Sequence, residues 1–348
     1  MPPAAIPNYV GQQFDACPPG HKFNLYFPIW REDWSPDKTG KTDAIRRCID
    51  IPAGARRMLD ALVARQRALA SASGALTLEA KSLAPFATGL GLEHPVENGF
   101  AFLSPYGLPY LAGSGAKGVF RRAAEELTCE ENAPLTLADV DMLFGPEDTD
   151  DAVRGALTFW DVFPQCEKMS VEIMTPHHGG YYQQGGTPND AGQPNPIPFL
   201  AVPPGAKFLF VVACDERMPG PLVGRWRDIV AAIFRHACDW RGFGAKTAVG
   251  YGALTPLSAA EQQAAAAESL KCAWVEETLA RIATQNRSSI DDALRGRALA
   301  EAWQNIADVT LRTSALEDIR RRWQAQNWWD APPGKAARQA KAIYEAGA

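Results

Sequence analysis

The residues best equipped for chemistry lie in R-G-F-G-A-K-T-A-V-G-Y-G, Arg241 to Gly252. Gly242, Gly244, Gly250 and Gly252 surround Lys246 and Thr247, with Phe243 and Tyr251 among them. Glycine takes positive φ and lets a second backbone approach where a Cβ would stand. A cation, a hydroxyl and backbone N–H groups in such turns suit a phosphodiester. The two aromatics suit stacking on bases or ribose. From these residues alone, a glycine-rich hairpin whose Phe243 and Tyr251 pack in the core is an equally good reading.

A second segment, P-Y-L-A-G-S-G-A-K-G-V-F-R-R from Pro109 to Arg122, repeats the theme. Its glycines Gly113 and Gly115 flank Ser114, which is a candidate helix N-cap, and helix N-termini attract phosphate. Lys117 and Arg121 are four residues apart and share one helix face. The nucleotide-binding P-loop requires Ser or Thr directly after its Lys, and Gly118 stands there instead.

These two segments bracket L-F-G and G-A-L-T-F-W-D-V, with G-L-G-L-E-H-P-V-E-N-G-F upstream and T-P-H-H-G-G-Y-Y further on. In that order they resemble the RAMP superfamily of CRISPR RNA-binding proteins. Within it they look like the Cmr-type subunit near the 3′ end of the guide RNA in type III-B effector complexes. The resemblance covers roughly residues 25 to 254 and rests on several motifs together. It implies an α+β fold of ferredoxin-like or RRM-like kind, with a glycine-rich loop, a thumb-like insertion and a C-terminal helical extension. It implies guide RNA and other RAMP subunits as partners, leaves contact with target RNA open, and implies no catalysis. In that picture Lys117, Arg121 and Lys246 neutralise phosphates of one RNA strand, while Gly113, Gly115, Gly242 and Gly244 admit its backbone. Arg241, Thr247, Gly250 and Tyr251 complete the loop. Some related backbone subunits cleave target RNA with an Asp in an early loop. Asp33, Asp37 and Asp43 lie in such a region, but no motif matches and catalysis is not carried over.

The elements that must position these turns read as follows. Residues 1–24 form an arm, 25–255 the RNA-binding domain and 256–348 a helical extension. F-N-L-Y-F-P-I-W, Phe23 to Trp30, predicts a strand. Leu59, Leu62, Val63 and Leu69 recur at helical spacing within 53–72. Strands are expected at 77–83, 155–162, 208–213 and 249–254. Helices are expected from Ser114 and over 222–240, where Val223, Trp226, Ile229, Val230, Ile233, Phe234 and Ala237 recur. Strand, helix, strand, strand, helix, strand is the ferredoxin-like order. His94 precedes Pro95, so it sits in a turn or extended segment, where it either touches RNA or caps the turn.

The insertion, 167–199, is rich in Gly, Pro, Asn and Gln and offers little apolar area for a core. By the resemblance, His177, His178, Tyr181 and Tyr182 stack on RNA or contact phosphate there; the alternative is a surface loop anchored by its aromatics. Two adjacent histidines lack zinc-ligand spacing, and no metal or cofactor is expected. In the tail, helices are expected over 257–284, 290–304 and 314–326. There Arg320, Arg321 and Arg322 with Trp323 suit RNA binding by charge and stacking; the alternative is a solvated face or one that docks a neighbouring subunit.

The chain has 348 residues and a net charge of −5, which argues against a general nucleic-acid coat. Residues 207–252 nevertheless carry seven basic against four acidic side chains, so the field there is locally positive. No secretory or membrane-spanning segment is legible, and the expected compartment is the cytoplasm. Seven scattered cysteines without C-x-x-C predict free thiols. Two other functions stay open: a metal-independent RAMP endoribonuclease with His94, His177 or His178 as general base, and a nucleotide-binding protein, which the residue after Lys117 disfavours.

Overall fold

K-F-L-F-V-V-A-C, Lys207 to Cys214, forms the strand on which the first part of the chain is built. In this computed structural model the described residues are 7, 9, 11, 13–147, 153–175, 185, 196–215 and 220–346. They fall into two units, Met1–Pro256 and Leu257–Ala348.

In chain order the first unit contains α1 (Pro19–Asn24), α2 (Lys41–Arg46), α3 (Ala53–Ser73), β1 (Leu76–Ser82), β2 (Phe102–Leu103), β3 (Leu108–Pro109), α4 (Gly113–Leu127) and α5 (Leu137–Phe144). There follow β4 (Leu157–Phe159), β5 (Ser170–Met174), β6 (Ile197–Ala201), β7 (Lys207–Cys214), α6 (Gly220–Val223), α7 (Trp226–His236) and β8 (Leu254–Pro256). The main sheet runs β4-β7-β1-β8 with antiparallel neighbours throughout. Helix α4 lies in the connection from β1 to β4, and α7 in the connection from β7 to β8.

Phe208 through Val212 are all buried, the mark of a strand covered on both faces. On one side Phe210 meets Phe234 of α7 at 5.2 Å and Phe243 at 4.8 Å, and Phe120 of α4 stacks on Phe234 at 5.7 Å. On the other, α3 buries Leu59 and Val63. Its Arg67 forks onto Glu79 of β1 at 2.6 and 3.0 Å, and Glu79 is the register partner of Leu209. Both faces of the central strand are therefore occupied, and bases cannot stack on it as they do on an open RRM sheet.

Several expectations are corrected. Phe23 to Trp30 is not a strand: Pro19 opens helix α1 within its first turn, and Pro28 supplies no N–H for a ladder. Only Trp30 makes a bridge, to Pro36. The strand expected over 155–162 shortens to Leu157–Phe159. The last strand begins only at Leu254, because Gly250 and Gly252 hold positive φ in the preceding turn. The helix expected over 222–240 ends at His236 and continues as a π turn, Ala237–Arg241. The insertion is closed at its base by a β5–β6 hairpin stem in which Glu172 pairs with Phe199.

The second unit holds α8 (Ala259–Asn286), α9 (Ile290–Leu294), α10 (Arg297–Gln304), α11 (Val309–Ala325) and α12 (Gly334–Ala346). Ser258 and Glu261 form a capping box at its start. Its core is aromatic. Trp303 meets Tyr344 at 5.4 Å, Trp323 meets Tyr344 at 5.9 Å, and Trp323 Nε1 donates to Leu294 O at 3.0 Å. Trp323 is fully buried, so it offers no stacking surface to RNA. Arg322 is tied to Asp318 and Glu276, Arg321 to Asp318, and the Arg320 guanidinium lies 4.9 Å from the Trp329 ring. No helix among the described residues is long and apolar enough to cross a membrane.

Candidate nucleic-acid interface

Helix α4 is capped two residues earlier than its sequence suggests. Its N-cap is Ala112, without a side-chain cap, so Ser114 is not the cap. The Gly113 N–H donates to Asp161 Oδ1 at 2.8 Å, and a Cβ on Gly113 would overlap the Phe159 carbonyl. Gly113 thus admits its own strand β4, and a protein carboxylate already takes its N–H. The next residues differ: Ser114, Gly115 and Gly118 are exposed, and a Cβ on Gly118 would meet nothing within 4 Å. A glycine inside an exposed helix costs about 1 kcal/mol relative to Ala, and no protein neighbour of Gly118 requires it.

Lys117 and Arg121 share a face but not a role. Arg121 Nε reaches Glu125 at 3.0 Å and Glu147 at 3.1 Å, its other nitrogens reach Asp141 and the Gly145 carbonyl, and it is largely covered. It ties α4 to the end of α5 and is not available to a phosphate, which corrects its expected role. Lys117 is half-buried, with Arg121 and Arg154 as its charged neighbours. Burial first, then those two cations, hold its ammonium below the usual lysine range. An ammonium placed this way gains from an anion.

The glycine loop is folded mainly onto the protein. N–H groups of Gly242, Phe243, Ala245 and Gly252 donate to the carbonyls of Ala237, Gly252, Ala87 and Pro85. Cβ atoms on Gly244 and Gly252 would overlap the Ala87 and Phe243 carbonyls, so these glycines admit protein backbone. Phe243 is fully buried among Phe120, Phe210 and Phe234 and is not a base platform. Arg241 is paired with Glu126. Lys246 differs: it holds φ 62°, accepts the N–H groups of Val249 and Tyr251 at 3.1 and 3.2 Å, and has no ion-pair partner among the described residues. Its Nζ lies 5.9 Å from the Phe199 ring centroid. Tyr251 donates to Glu172 Oε2 at 3.3 Å, and its ring lies 5.7 Å from Phe199. Lys246 and Tyr251 therefore stand against the hairpin stem from which the insertion emerges. Thr247 is half-buried and Gly250 is exposed.

A row of backbone hydrogen bonds joins the two turns: Ala245 N to Ala87 O, Ala101 N to Thr88 O, and Tyr110 N to Ala101 O.

A family model described as the RAMP superfamily matches residues 79–255, just over half of the chain. The chain belongs to the RAMP superfamily. It is similar to the CRISPR system Cmr subunit Cmr6 of Pyrococcus furiosus, 29% identical over a 239-residue alignment that covers 52% of this chain and 67% of the relative. Among solved structures it is similar to a chain of the type III-B Cmr-beta complex bound to cognate target RNA, at 20% identity and TM-score 0.46, covering 64% of this chain and 71% of that one. Cmr6 from Pyrococcus furiosus follows at 25% identity and TM-score 0.33, covering 53% and 98%.

His94 of this RAMP protein is a packing residue. Its ring stacks on Phe23 at 3.7 Å, Nε2 donates to Phe23 O at 2.9 Å, and Nδ1 takes the Val96 N–H at 3.4 Å. That pattern belongs to the neutral Nε2–H tautomer, and burial pushes its pKa down from the usual 6.5. With both nitrogens engaged it is placed neither as a general base nor as a hydrogen-bonding contact to RNA. Because the unfolded chain binds the extra proton, stability should fall as pH drops from about 6.5 toward the lowered value. A His94→Phe variant, followed by denaturant unfolding across that range, should show a flatter profile.

His177, His178, Tyr181 and Tyr182 lie outside the described residues. Trp240 escaped the sequence reading. It is 79% exposed, although it follows Ala237 by the three residues that would continue the buried stripe. The π turn carries an extra residue per turn and rotates it outward. Arg154, beside Lys117, and Glu172, beside Tyr251, were also missed, since one comes from the segment before β4 and the other from β5, both remote in sequence.

Proposed function

We propose that this RAMP protein is a non-catalytic CRISPR RNA-binding and assembly subunit of a type III-B Cmr effector complex, working in the cytoplasm in defence against invading RNA or DNA. Its partners are the guide RNA, with the target strand close by, and other RAMP subunits. Family membership and the likeness to Cmr6 support the complex. The four strands and two intervening helices, in the order given above, support a ferredoxin-like reading of the domain.

The observation that carries RNA contact is Lys117, a half-buried ammonium with cationic neighbours beside two glycines on an open helix face. Lys246 supports a second phosphate contact. A non-glycine residue at positive φ costs on the order of 1 kcal/mol, and here it sets an ammonium at the root of the insertion. Free thiols at the described cysteines suit a reducing compartment.

Titrating the full-length chain with an oligoribonucleotide over a salt series tests this. Lys117→Ala and Lys246→Ala should each weaken binding similarly for every sequence and lower the slope of log affinity against log salt by about 0.7. Slopes equal to wild type in both variants would overturn the reading.

A further inference from the structure

Beside the α4 turn lies a cavity of about 490 Å³. Its rim and walls include Asn24, Trp30, Glu93, His94, Phe102 and Tyr110. The back wall is held by aromatic contacts: His94 stacks on Phe23 at 3.7 Å, Phe27 meets the His94 ring edgewise at 4.8 Å, and Phe100 meets Phe102 at 4.9 Å. The space is preformed and lined mainly by apolar and aromatic side chains, as ligand sites usually are. Tyr110, on its edge, precedes the Ala112 N-cap of α4 by two residues.

We propose that this cavity receives one unstacked nucleobase of the RNA whose phosphates lie on the α4 turn, with preference for bases that carry an exocyclic amino group. The inference rests on the RNA-binding reading above. Three features fix the ligand class. Aromatic walls stack on any base. The one formal charge among the lining residues is the carboxylate of Glu93, the His94 ring being held neutral, so phosphate is repelled and an N–H donor is welcomed. Neither the Glu93 carboxylate nor the Asn24 amide has a hydrogen-bond partner among the described residues, and both residues are exposed. A carboxylate accepts from the amino group of cytosine, whereas uracil turns a carbonyl oxygen to the same place.

Short homopolymers of cytidine and uridine, titrated against the full-length chain over a salt series, separate the possibilities. Wild type should bind oligocytidine more tightly than oligouridine, and Glu93→Gln, at an exposed position, should erase that preference. Tyr110→Leu and Trp30→Leu should each weaken binding about tenfold with the salt slope unchanged, and Tyr110→Phe should restore it. Wild-type affinity and preference in Glu93→Gln, Tyr110→Leu and Trp30→Leu, with salt-dependent binding intact, would overturn the cavity assignment alone. No salt-dependent binding by wild type would remove the RNA reading and this inference together.

Discussion

Gly252→Val should abolish folding of the first unit. A Cβ at this position would overlap the Phe243 carbonyl oxygen and crowd the Phe243 carbonyl carbon at 2.9 Å, all of it backbone that cannot swing aside. The Gly252 φ of 69° adds strain for any side chain and most for a β-branched one. Gly252 also donates to Pro85 O at 2.8 Å and accepts from Phe243 N at 2.9 Å, so relief by backbone shift breaks the closure of the loop. Phe243 sits in the aromatic cluster between the sheet, α4 and α7, and moving it opens the core. Together these effects exceed about 4 kcal/mol, a large part of a domain's stability. Gly250→Ala is the control: φ is 91° but nothing lies within 4 Å of the added Cβ, so only strain of about 1 kcal/mol is expected. Denaturant unfolding of both variants checks the contrast, and a wild-type midpoint for Gly252→Val would remove the packing account.

That contrast marks what sequence can and cannot convey. The spacing of Leu59 and Val63 in α3 and of Trp226, Ile229, Val230, Ile233 and Phe234 in α7 names the faces those helices bury, because periodicity is local. The run at Phe208 to Val212 likewise names a central strand. Whether a missing Cβ makes room for protein or for a ligand depends on which distant segment approaches it. Ala87, Phe159 and Phe243 claim the room at Gly244, Gly113 and Gly252, while the space beyond Gly118 stays open. The cations divide in the same way. Lys117 and Arg121 look equivalent on one helix face, but Asp141 and Glu147 arrive from α5 and the segment after it to engage only the arginine. His94 read as a loop histidine because the ring it stacks on, Phe23, stands 71 residues earlier. Trp240 was hidden for a different reason: a π turn breaks the periodicity that would bury it.

Trp323→Ala should unfold the second unit while the first remains folded. The indole is fully buried, meets Trp328, Trp329 and Tyr344 edge-on at 6.4, 5.9 and 5.9 Å, and donates to Leu294 O. Truncating a buried Trp costs about 3–5 kcal/mol, and the orphaned Leu294 carbonyl adds about 1–3 kcal/mol. A unit of this size has little beyond that to lose. Thermal unfolding should therefore split into an early transition for Leu257–Ala348 and a later one at the wild-type position; a single wild-type transition would contradict the assignment of this core. The same variant locates the RNA contact. If Lys117 and Lys246 carry it, the salt slope stays at its wild-type value when the second unit has melted, because the phosphate count is unchanged. A slope that falls when the second unit melts, with Lys117 and Lys246 unchanged in the folded first unit, would transfer contacts to the exposed Arg320 and Arg321, whose geometry depends on Trp329 and on the buried Asp318 carboxylate.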